Sequence, residues 1–271
     1  MEQPMEKPAS PSGTQSVHRA LQILRLVSTH NRQGIRLSDL ATQVQLSKPS
    51  VHRLLRELTE TGLLMQAQNR LFHLGQFAYE LGLMASAHYS LHQVCSPFVE
   101  QLAQETGDTV FLVMRSGFDS FCLDRQTGSY PIKVFSIEVG NRQPMGVGAG
   151  GLALLSFLTE AEREAALEEL CDSLPQFNGL SVDTVKQMIT ETRQRGYSHI
   201  SNHAVAGVTG FGMPILDRVG TPLAAISVTA INDRMTPEHQ RQVIHLLDRC
   251  TQQAREALLT TRGSLPRNTR S

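Results

Sequence analysis

The pattern of apolar and polar positions is clearest from Ser47 to Leu58, where it repeats with the period of an α-helix. At about 100° per residue, the aliphatic side is formed by Val51, Leu54, Leu55 and Leu58. The opposite side carries Pro49, His52, Arg53 and Arg56, with Lys48 and Ser50 at its N-terminal end. Ser47 is a suitable N-cap, and a proline in the first turn costs little. The stretch predicts an amphipathic helix whose basic face suits a DNA major groove, although an ordinary surface helix has the same pattern.

The segments on either side of this helix predict two more helices and a hairpin. Helical spacing predicts one helix from Ser16 to Thr29, and Ser38 is a suitable cap for a second, short helix. Gly62 is suited to the left-handed position that ends the basic helix. A hairpin with its turn at Gln68-Asn69 follows. This order of elements predicts a winged helix-turn-helix over residues 16–75.

The rest of the chain mixes helices with β-rich runs. Residues 76–92 predict a linker helix, although a core helix of the second domain fits the same pattern. The β-rich runs are 108–115, 118–124, 132–139, 197–202, 207–216 and 222–230. Helical patterns cover 94–106, the stretch from the glycine-rich run 144–151 to residue 158, 159–170, 181–196 and 236–259. Within the mixed α/β classes, hairpins with flanking helices predict an α+β domain over residues 93–260. A disordered leader (1–15) and a disordered tail (261–271) complete the expected organisation.

Composition and charge narrow the class of protein. With 271 residues and 40% hydrophobic content, the chain can form two globular domains, and it has neither a membrane-spanning run nor a signal peptide. Its four cysteines are isolated, which is typical of buried thiols in a cytoplasmic protein and gives no zinc site or disulfide framework. The net charge is zero, but residues 16–75 hold eight Lys/Arg against three Asp/Glu, which leaves +5 there and −5 elsewhere. A basic module on an acidic body indicates a nucleic-acid partner.

Candidate DNA-contacting residues follow from these patterns. They are Lys48, Ser50, His52, Arg53 and Arg56 on the basic helix, and Asn69 and Arg70 at the hairpin tip. A guanidinium can bind guanine O6 and N7 together, so Arg53 is the expected base reader. Arg56 and Lys48 are expected to bind phosphates. One groove-sized helix per chain predicts a dimer on half-sites one helical turn apart, or a multiple of it.

The chain resembles the IclR family of bacterial transcriptional regulators between Ser16 and about Leu259. The motifs that carry the resemblance are SVHRALQIL from Ser16, LSDLA from Leu37, the stretch from Ser47 to Leu64, VGNRQP from Val139, RGY from Arg195 and AAISV from Ala224. The resemblance implies a winged helix-turn-helix, a linker helix and a C-terminal effector-binding domain with a GAF-like sheet. It also implies palindromic double-stranded DNA operators bound by homodimers or homotetramers, and a small-molecule effector.

The same resemblance implies an effector pocket. The positions carried over are Ala149, Gly150, Ile200, Gly210, Ser227 and Thr229, with Ile132 and Phe135 as an apolar wall. Where members that bind small carboxylates often have an acidic residue and a cysteine, this chain has Ile200 and Gly210. The expected pocket is therefore less polar and roomier than a glyoxylate or pyruvate site.

Two other motifs have competing interpretations. The run Gly146–Gly151 satisfies G-x-G-x-x-G, but a dinucleotide site needs a parallel βαβ unit; the glycines can instead allow close packing or leave free N–H groups for an effector. His199 and His203 are four residues apart, yet on a strand and loop this spacing does not favour a metal site. No catalytic residue, cofactor or membrane partner is expected.

Two functions fit these features. The first is a cytoplasmic, ligand-responsive, sequence-specific DNA-binding regulator, with repression the favoured direction, and not an enzyme. The second is a metabolite sensor or enzyme whose N-terminal module serves only for dimerisation. The exposed basic face favours the first, because a dimer surface would prefer apolar residues there.

Overall fold

A computed structural model describes residues 12–86 and 91–263 of the chain. The chain divides into two compact units, Met1–Tyr89 and Ser90–Ser271. Across the described ranges, no helix is both long enough and apolar enough to cross a membrane.

The N-terminal unit is a winged helix-turn-helix, as the sequence predicts. Its elements are α1 (Ser12–Thr29), α2 (Leu37–Gln43), α3 (Lys48–Glu60), β1 (Leu64–Gln66), β2 (Phe72–Leu74) and α4 (Gln76–Ser86). Strands β1 and β2 pair antiparallel to form the wing. The aliphatic side of α3 is buried through Val51, Leu55 and Leu58 against residues such as Ile23 and Leu40 of α1 and α2. Burial of this stripe fixes which face of α3 is left to solvent.

Two N-terminal boundaries differ from the prediction. Helix α1 begins at Ser12, so residues 12–15 are helical where the sequence predicts a disordered leader; residues 1–11 lie outside the described residues. No proline follows Pro11 before the helix ends, so nothing in the sequence stops it from extending backwards. Helix α2 is not capped by Ser38, because the cap position is Arg36 and the Ser38 hydroxyl donates to the Asp39 carboxylate at 3.1 Å.

The predicted linker helix over residues 76–92 is wrong at its C-terminal end. Helix α4 covers Gln76–Ser86, and residues 87–90 lie outside the described residues. Leu91 and His92 belong to the next helix, α5 (Leu91–Thr106), which is part of the second unit. Leu91 is buried in the core of that unit, and this packing draws it into α5.

The C-terminal unit is built on a six-stranded antiparallel sheet with the order β5-β4-β3-β8-β7-β6. Its strands are β3 (Thr109–Ser116), β4 (Asp119–Thr127), β5 (Arg142–Pro144), β6 (Ser198–Ser201), β7 (Val208–Leu216) and β8 (Pro222–Ile231). Its helices after α5 are α6 (Ala149–Ser156), α7 (Glu160–Leu170), α8 (Val182–Arg195) and α9 (Pro237–Gly263). One core joins α5 and α9 to the sheet, and a second joins α6, α7 and α8 to it. The α+β prediction is confirmed; α9 extends into the expected tail, and residues 264–271 lie outside the described residues.

Residues 132–139 do not form the predicted strand. The strand next to β4 is the short β5, and it pairs with β4 through Arg142–Pro144. Residues 132–139 are instead tied at their ends, where the Val134 N–H donates to the Thr109 hydroxyl and the Gly140 N–H donates to the Cys122 carbonyl. Their apolar side chains do not alternate between a buried and an exposed face, which a half-buried strand would require.

A buried carboxylate connects the start of β3 to the start of α9. The Asp108 side chain is fully buried, and its Oδ2 is hydrogen-bonded to His239 Nε2 at 2.5 Å. Its Oδ1 accepts a bond from Arg234 Nε at 3.3 Å, and the same guanidinium donates to the Thr106 carbonyl at 3.1 Å. The carboxylate therefore has polar partners on both oxygens, which a buried charge requires.

Replacing Asp108 by alanine is expected to lower the free energy of unfolding by about 3 kcal/mol, because the partners keep their polar groups but lose the carboxylate. Urea unfolding followed by circular dichroism measures this. Glu191→Ala is the matched control: it removes an exposed pair with Arg195 at 3.0 Å and should cost less than about 1 kcal/mol. Equal losses in the two variants would contradict the role given to Asp108.

Candidate functional site

The solvent face of α3 carries the basic side chains that the sequence predicts. Lys48, His52, Arg53 and Arg56 are all exposed. Ser50 is less exposed than these residues, since it is half-buried. Its hydroxyl shares a hydrogen bond of 2.9 Å with the Ser47 hydroxyl. Because Ser47 also accepts the Ser50 N–H at 3.4 Å, Ser50 contributes to the cap as well as to the face.

Arg53 and Arg56 differ in their surroundings. The Arg56 guanidinium lies 3.1 Å from a carboxylate oxygen of Glu57 and 3.5 Å from one of Glu60. Arg53 has no hydrogen-bond or ion-pair partner among the residues that the structure describes. Its five N–H donors are thus available to an outside acceptor, whereas two acids on its own helix partly neutralise Arg56.

The tip of the wing holds the other two predicted contact residues. Asn69 uses its side-chain oxygen to accept the Leu71 N–H at 3.1 Å, which is an Asx-type turn contact. Arg70 has a left-handed backbone (φ 62°), and its N–H donates to the Ala67 carbonyl at 2.9 Å. Arg70 is therefore a turn residue. Both side chains are exposed at the tip.

A second candidate site is a narrow pocket between α6 and the sheet of the C-terminal unit. Six of the predicted effector residues line it: Ala149, Gly150, Ile200, Gly210, Ser227 and Thr229. They come from α6, β6, β7 and β8, which are distant in the sequence. The pairing of Gly210 with both Ile200 and Thr229 places three of them in one row across the sheet.

Glycines bring the start of α6 close to the sheet. A Cβ on Gly150 would lie 2.7 Å from Val113 Cγ2, and a Cβ on Gly212 would lie 2.6 Å from the Ala149 carbonyl oxygen. The Ser198 hydroxyl donates to the same Ala149 oxygen at 2.6 Å. Gly148 is the N-cap of α6 and supplies no side-chain cap, and the first residues of the helix, Ala149, Gly150 and Gly151, line the pocket.

Ile132 and Phe135, the predicted apolar wall, do not line this pocket. Their side chains are 52% and 57% exposed, and neither lines the pocket. Ser136 and Ile137, the next residues along the chain, line it instead. Because the segment is not a strand, its residues do not present alternate side chains to the pocket.

Several lining residues are not predicted by the sequence. They are Phe111, Val113, Ser120, Ser136, Ile137, Gln143, Gly148, Gly151, Ala204 and Val208. Strand register could have indicated Phe111, since it pairs with Ser227. For Gln143 and Ala204 the sequence offers no signal, because they reach the pocket from an edge strand and a loop.

The pocket is uncharged along its whole described lining. Its polar groups are hydroxyls and one amide, those of Ser120, Ser136, Gln143, Ser227 and Thr229. The Ser120 hydroxyl donates to the Gln143 carbonyl at 3.1 Å. The Ser227 and Thr229 hydroxyls have no hydrogen-bond partner among the described residues, so both are available to a ligand.

The structure shows where the glycine-rich run and the two histidines lie. The strand before Gly146–Gly151 is β5, which pairs antiparallel with β4, so the run does not lie in the parallel unit of a dinucleotide site. His199 lies on β6 and stacks on Phe211, with ring centroids 4.8 Å apart, and burial lowers its pKa. Within the described ranges, no group of three or more His, Cys, Asp or Glu residues is arranged to hold a metal.

Comparison with known families identifies the family of the chain. The profile "Bacterial transcriptional regulator IclR C-terminal" matches residues 84–255, and the profile "IclR helix-turn-helix domain" matches residues 16–68. The chain belongs to the IclR family. It is therefore a DNA-binding transcriptional regulator and not an enzyme, which removes the alternative of an enzyme with a purely dimerising N-terminal module.

Named members of the IclR family are similar over most of their length. The regulator KipR of Bacillus subtilis is 27% identical over 214 residues, which cover 77% of this chain and 83% of KipR. The repressor IclR of Escherichia coli is 26% identical over 229 residues, which cover 83% and 82% of the two chains. The second of these relatives is named a repressor, which agrees with the predicted repressor class.

Solved IclR structures share the fold. A regulator from Silicibacter sp. TM1040 superposes with a TM-score of 0.79 at 25% identity, covering 90% of this chain and 96% of its own. An IclR homologue from Microbacterium hydrocarbonoxydans in complex with 4-hydroxybenzoate superposes with a TM-score of 0.74 at 19% identity, covering 91% and 99%. The second likeness, at this identity, concerns the fold alone.

Proposed function

We propose that this regulator binds operator DNA in the cytoplasm through the first two turns of α3, as a homodimer, and that a small effector in the α6 pocket adjusts the binding. The single observation that carries the proposal is the exposed guanidinium of Arg53, which has no partner in the part of the chain that the structure describes and lies in the middle of the helix face left open by the core. A gel-shift assay on DNA upstream of the chain's own gene, at two salt concentrations, tests it. Binding that does not exceed the binding to random DNA would contradict it.

The proposed roles within the DNA-binding face follow from charge and pairing. Arg53 reads a base edge, and Lys48 and Arg56 contact phosphates. His52 and Ser50 lie beside Arg53 on the first two turns and add hydrogen-bonding groups at the groove. Asn69 and Arg70 at the wing tip contact the neighbouring backbone.

The effector that suits the pocket has an apolar body and one polar or anionic end. Apolar walls come from Phe111, Val113 and Ile200, and the polar end faces Ser227, Thr229 and the start of α6. Free N–H groups at a helix start favour a carboxylate or carbonyl oxygen. The aromatic acid bound by the Microbacterium homologue agrees with such a ligand, and we propose an aromatic or branched acid over glyoxylate or pyruvate.

Self-association is proposed through α4. One face of α4 carries Phe77, Leu81 and Met84 at helical spacing, and Leu81 and Met84 are 43% and 63% exposed. Apolar side chains on an exposed helix favour burial against another surface. A second copy of the chain supplies an identical face, as an operator with two half-sites requires.

Arg53→Ala is expected to lose roughly 1–3 kcal/mol of operator binding and to relax base preference, because it removes a bidentate base contact. Arg56→Ala should weaken operator and random DNA alike, and by less, because Glu57 and Glu60 already hold part of its charge. Fluorescence anisotropy with both DNAs measures the two losses. Equal losses on operator and random DNA for Arg53→Ala would rule out its role in base reading.

Gly210→Val is expected to abolish the effector response while operator affinity stays unchanged. A Cβ at this position would already lie 3.2 Å from Thr229 Oγ1 and 3.3 Å from Ala149 Cβ, so a larger side chain fills the pocket. Ser227→Ala, which leaves the space open and removes one hydroxyl, should only weaken the response.

A thermal-shift panel of 4-hydroxybenzoate, benzoate, glyoxylate and pyruvate measures the response, since a ligand of the native state raises the midpoint. Thr221→Val, in an exposed turn, is the control. A midpoint shift that persists in Gly210→Val would place the effector elsewhere. A larger shift with pyruvate or glyoxylate than with the aromatic acids would overturn the proposed ligand class.

The double variant Leu81→Glu/Met84→Glu is expected to shift the chain from dimer to monomer, since charges on this face oppose its burial. Glu80→Gln, a conservative change on the same helix, is the control. Sedimentation equilibrium at several protein concentrations gives the association constant. An unchanged dimer in the double variant would exclude α4 as the interface.

A further inference from the structure

One wall of the effector pocket is a segment without regular secondary structure, residues 133–140, called here the wall segment. It connects β4 to β5, and its Ser136 and Ile137 line the pocket. Most of the other lining residues belong to paired strands or to α6, which hydrogen bonds hold along their length. The wall segment can therefore move without breaking the sheet.

The two ends of the wall segment are anchored to neighbouring strands. At its start, the Val134 N–H donates to the Thr109 hydroxyl at 3.2 Å. At its end, the Gly140 N–H donates to the Cys122 carbonyl at 2.9 Å, and the Cys122 N–H donates to the Asn141 carbonyl at 3.0 Å. These contacts fix where the segment enters and leaves, and in its middle the Ile137 side chain packs against the core shared with α6, α7 and α8.

The middle of the wall segment is held by Arg125 of β4. The guanidinium carbon lies 4.3 Å from the centre of the Phe135 ring. Its Nη1 donates to the Ile137 carbonyl at 3.3 Å and lies 3.6 Å from a carboxylate oxygen of Glu138. The Arg125 side chain is only 18% exposed, so one guanidinium contacts three successive parts of the segment in a partly desolvated setting.

The other loop at the pocket is held more firmly. This loop comprises residues 202–207 and contains Ala204. The carbonyls of Asn202 and His203 each accept a hydrogen bond of 2.9 Å from the Asn178 side-chain amide. The Asn202 side-chain oxygen accepts the Gly207 N–H at 2.9 Å and an Asn232 amide N–H at 3.0 Å. That loop is cross-linked to a helix connection and to the end of β8, whereas in the wall segment one Arg125 guanidinium contacts Phe135, Ile137 and Glu138.

We propose that the wall segment is the entrance to the pocket and that Arg125 is a positioning residue that latches it. When the guanidinium releases Phe135, Ile137 and Glu138 together, the segment swings about its two anchored ends and opens a path to Ser227 and the start of α6. This inference rests on the proposed function only in calling the pocket an effector site. The latch itself is a property of the free protein.

Cys122 provides a reporter for opening. Its backbone is bonded to the end of the wall segment, its side chain is fully buried, and burial raises its pKa to about 12. Cys95 and Cys250 are also buried with a pKa raised to about 12, but they belong to the core on the opposite face of the sheet. A thiol reagent that reaches Cys122 but not these two detects local opening and not global unfolding.

The test measures labelling of the full chain by N-ethylmaleimide, with each cysteine quantified by mass spectrometry. Arg125→Ala is expected to speed labelling of Cys122 roughly tenfold or more through the combined loss of stacking, hydrogen bond and ion pair. Labelling of Cys95 and Cys250 should stay at the wild-type rate. Arg125→Lys keeps the charge but loses the planar stack. Its Cys122 labelling rate should lie between the rates of the wild type and of Arg125→Ala.

Two further variants complete the test. Phe135→Ala removes an exposed side chain, so it cannot damage the core, and it should raise Cys122 labelling by a smaller factor. Arg195→Ala is the matched control, since Arg195 also lies over an aromatic ring, that of Tyr197 at 5.5 Å, and pairs with Glu191. It should leave Cys122 unchanged.

An unchanged Cys122 rate in Arg125→Ala overturns the proposal, as does an equal rise at Cys95 and Cys250. The assay needs neither effector nor DNA. The labelling rates therefore test the latch independently of whether a small molecule or an operator is bound by this chain.

Discussion

The close contact between the start of α6 and the sheet is the constraint on which the C-terminal unit depends. All eight residues of α6 are buried, so the helix has no solvent face and must fit against strands on one side and helices on the other. The fit requires hydrogen in place of a side chain at Gly150 and Gly212, where a Cβ would collide with neighbouring atoms. The same contact places the first turn of α6 in the pocket lining, so the packing and the lining of the site have one origin.

The sequence predicts more of the N-terminal unit than of the pocket in the C-terminal unit. The solvent-facing basic side of α3 was predictable because it depends on local rules: a serine cap, a proline in the first turn and an aliphatic stripe at helical spacing. Each rule operates within one helix, and α3 appears where they place it. The pairing of Arg56 with Glu57 and Glu60 was also within reach, since neighbouring residues and residues four apart on a helix can meet.

The pocket was only partly predictable. Six lining residues were carried over from a family resemblance, and none followed from periodicity. Ile132 and Phe135, which the same resemblance implied as an apolar wall, do not line the pocket, and Phe135 lies over the Arg125 guanidinium. Gln143 reaches the pocket because the sheet order places β5 beside β4, and Ala204 reaches it on the loop between β6 and β7. Both placements arise from contacts between segments far apart in the chain.

The uncharged lining of the pocket has a consequence for how the two activities respond to ionic strength. DNA binding releases counterions for every phosphate that a lysine or arginine neutralises, so its affinity falls steeply as salt rises. A ligand held by hydroxyls and helix N–H groups in a buried pocket is screened much less by dissolved ions. Occupancy of the pocket should thus stay nearly constant over salt concentrations that change operator affinity by orders of magnitude. Ionic strength is therefore a means to separate ligand recognition from DNA recognition in one chain.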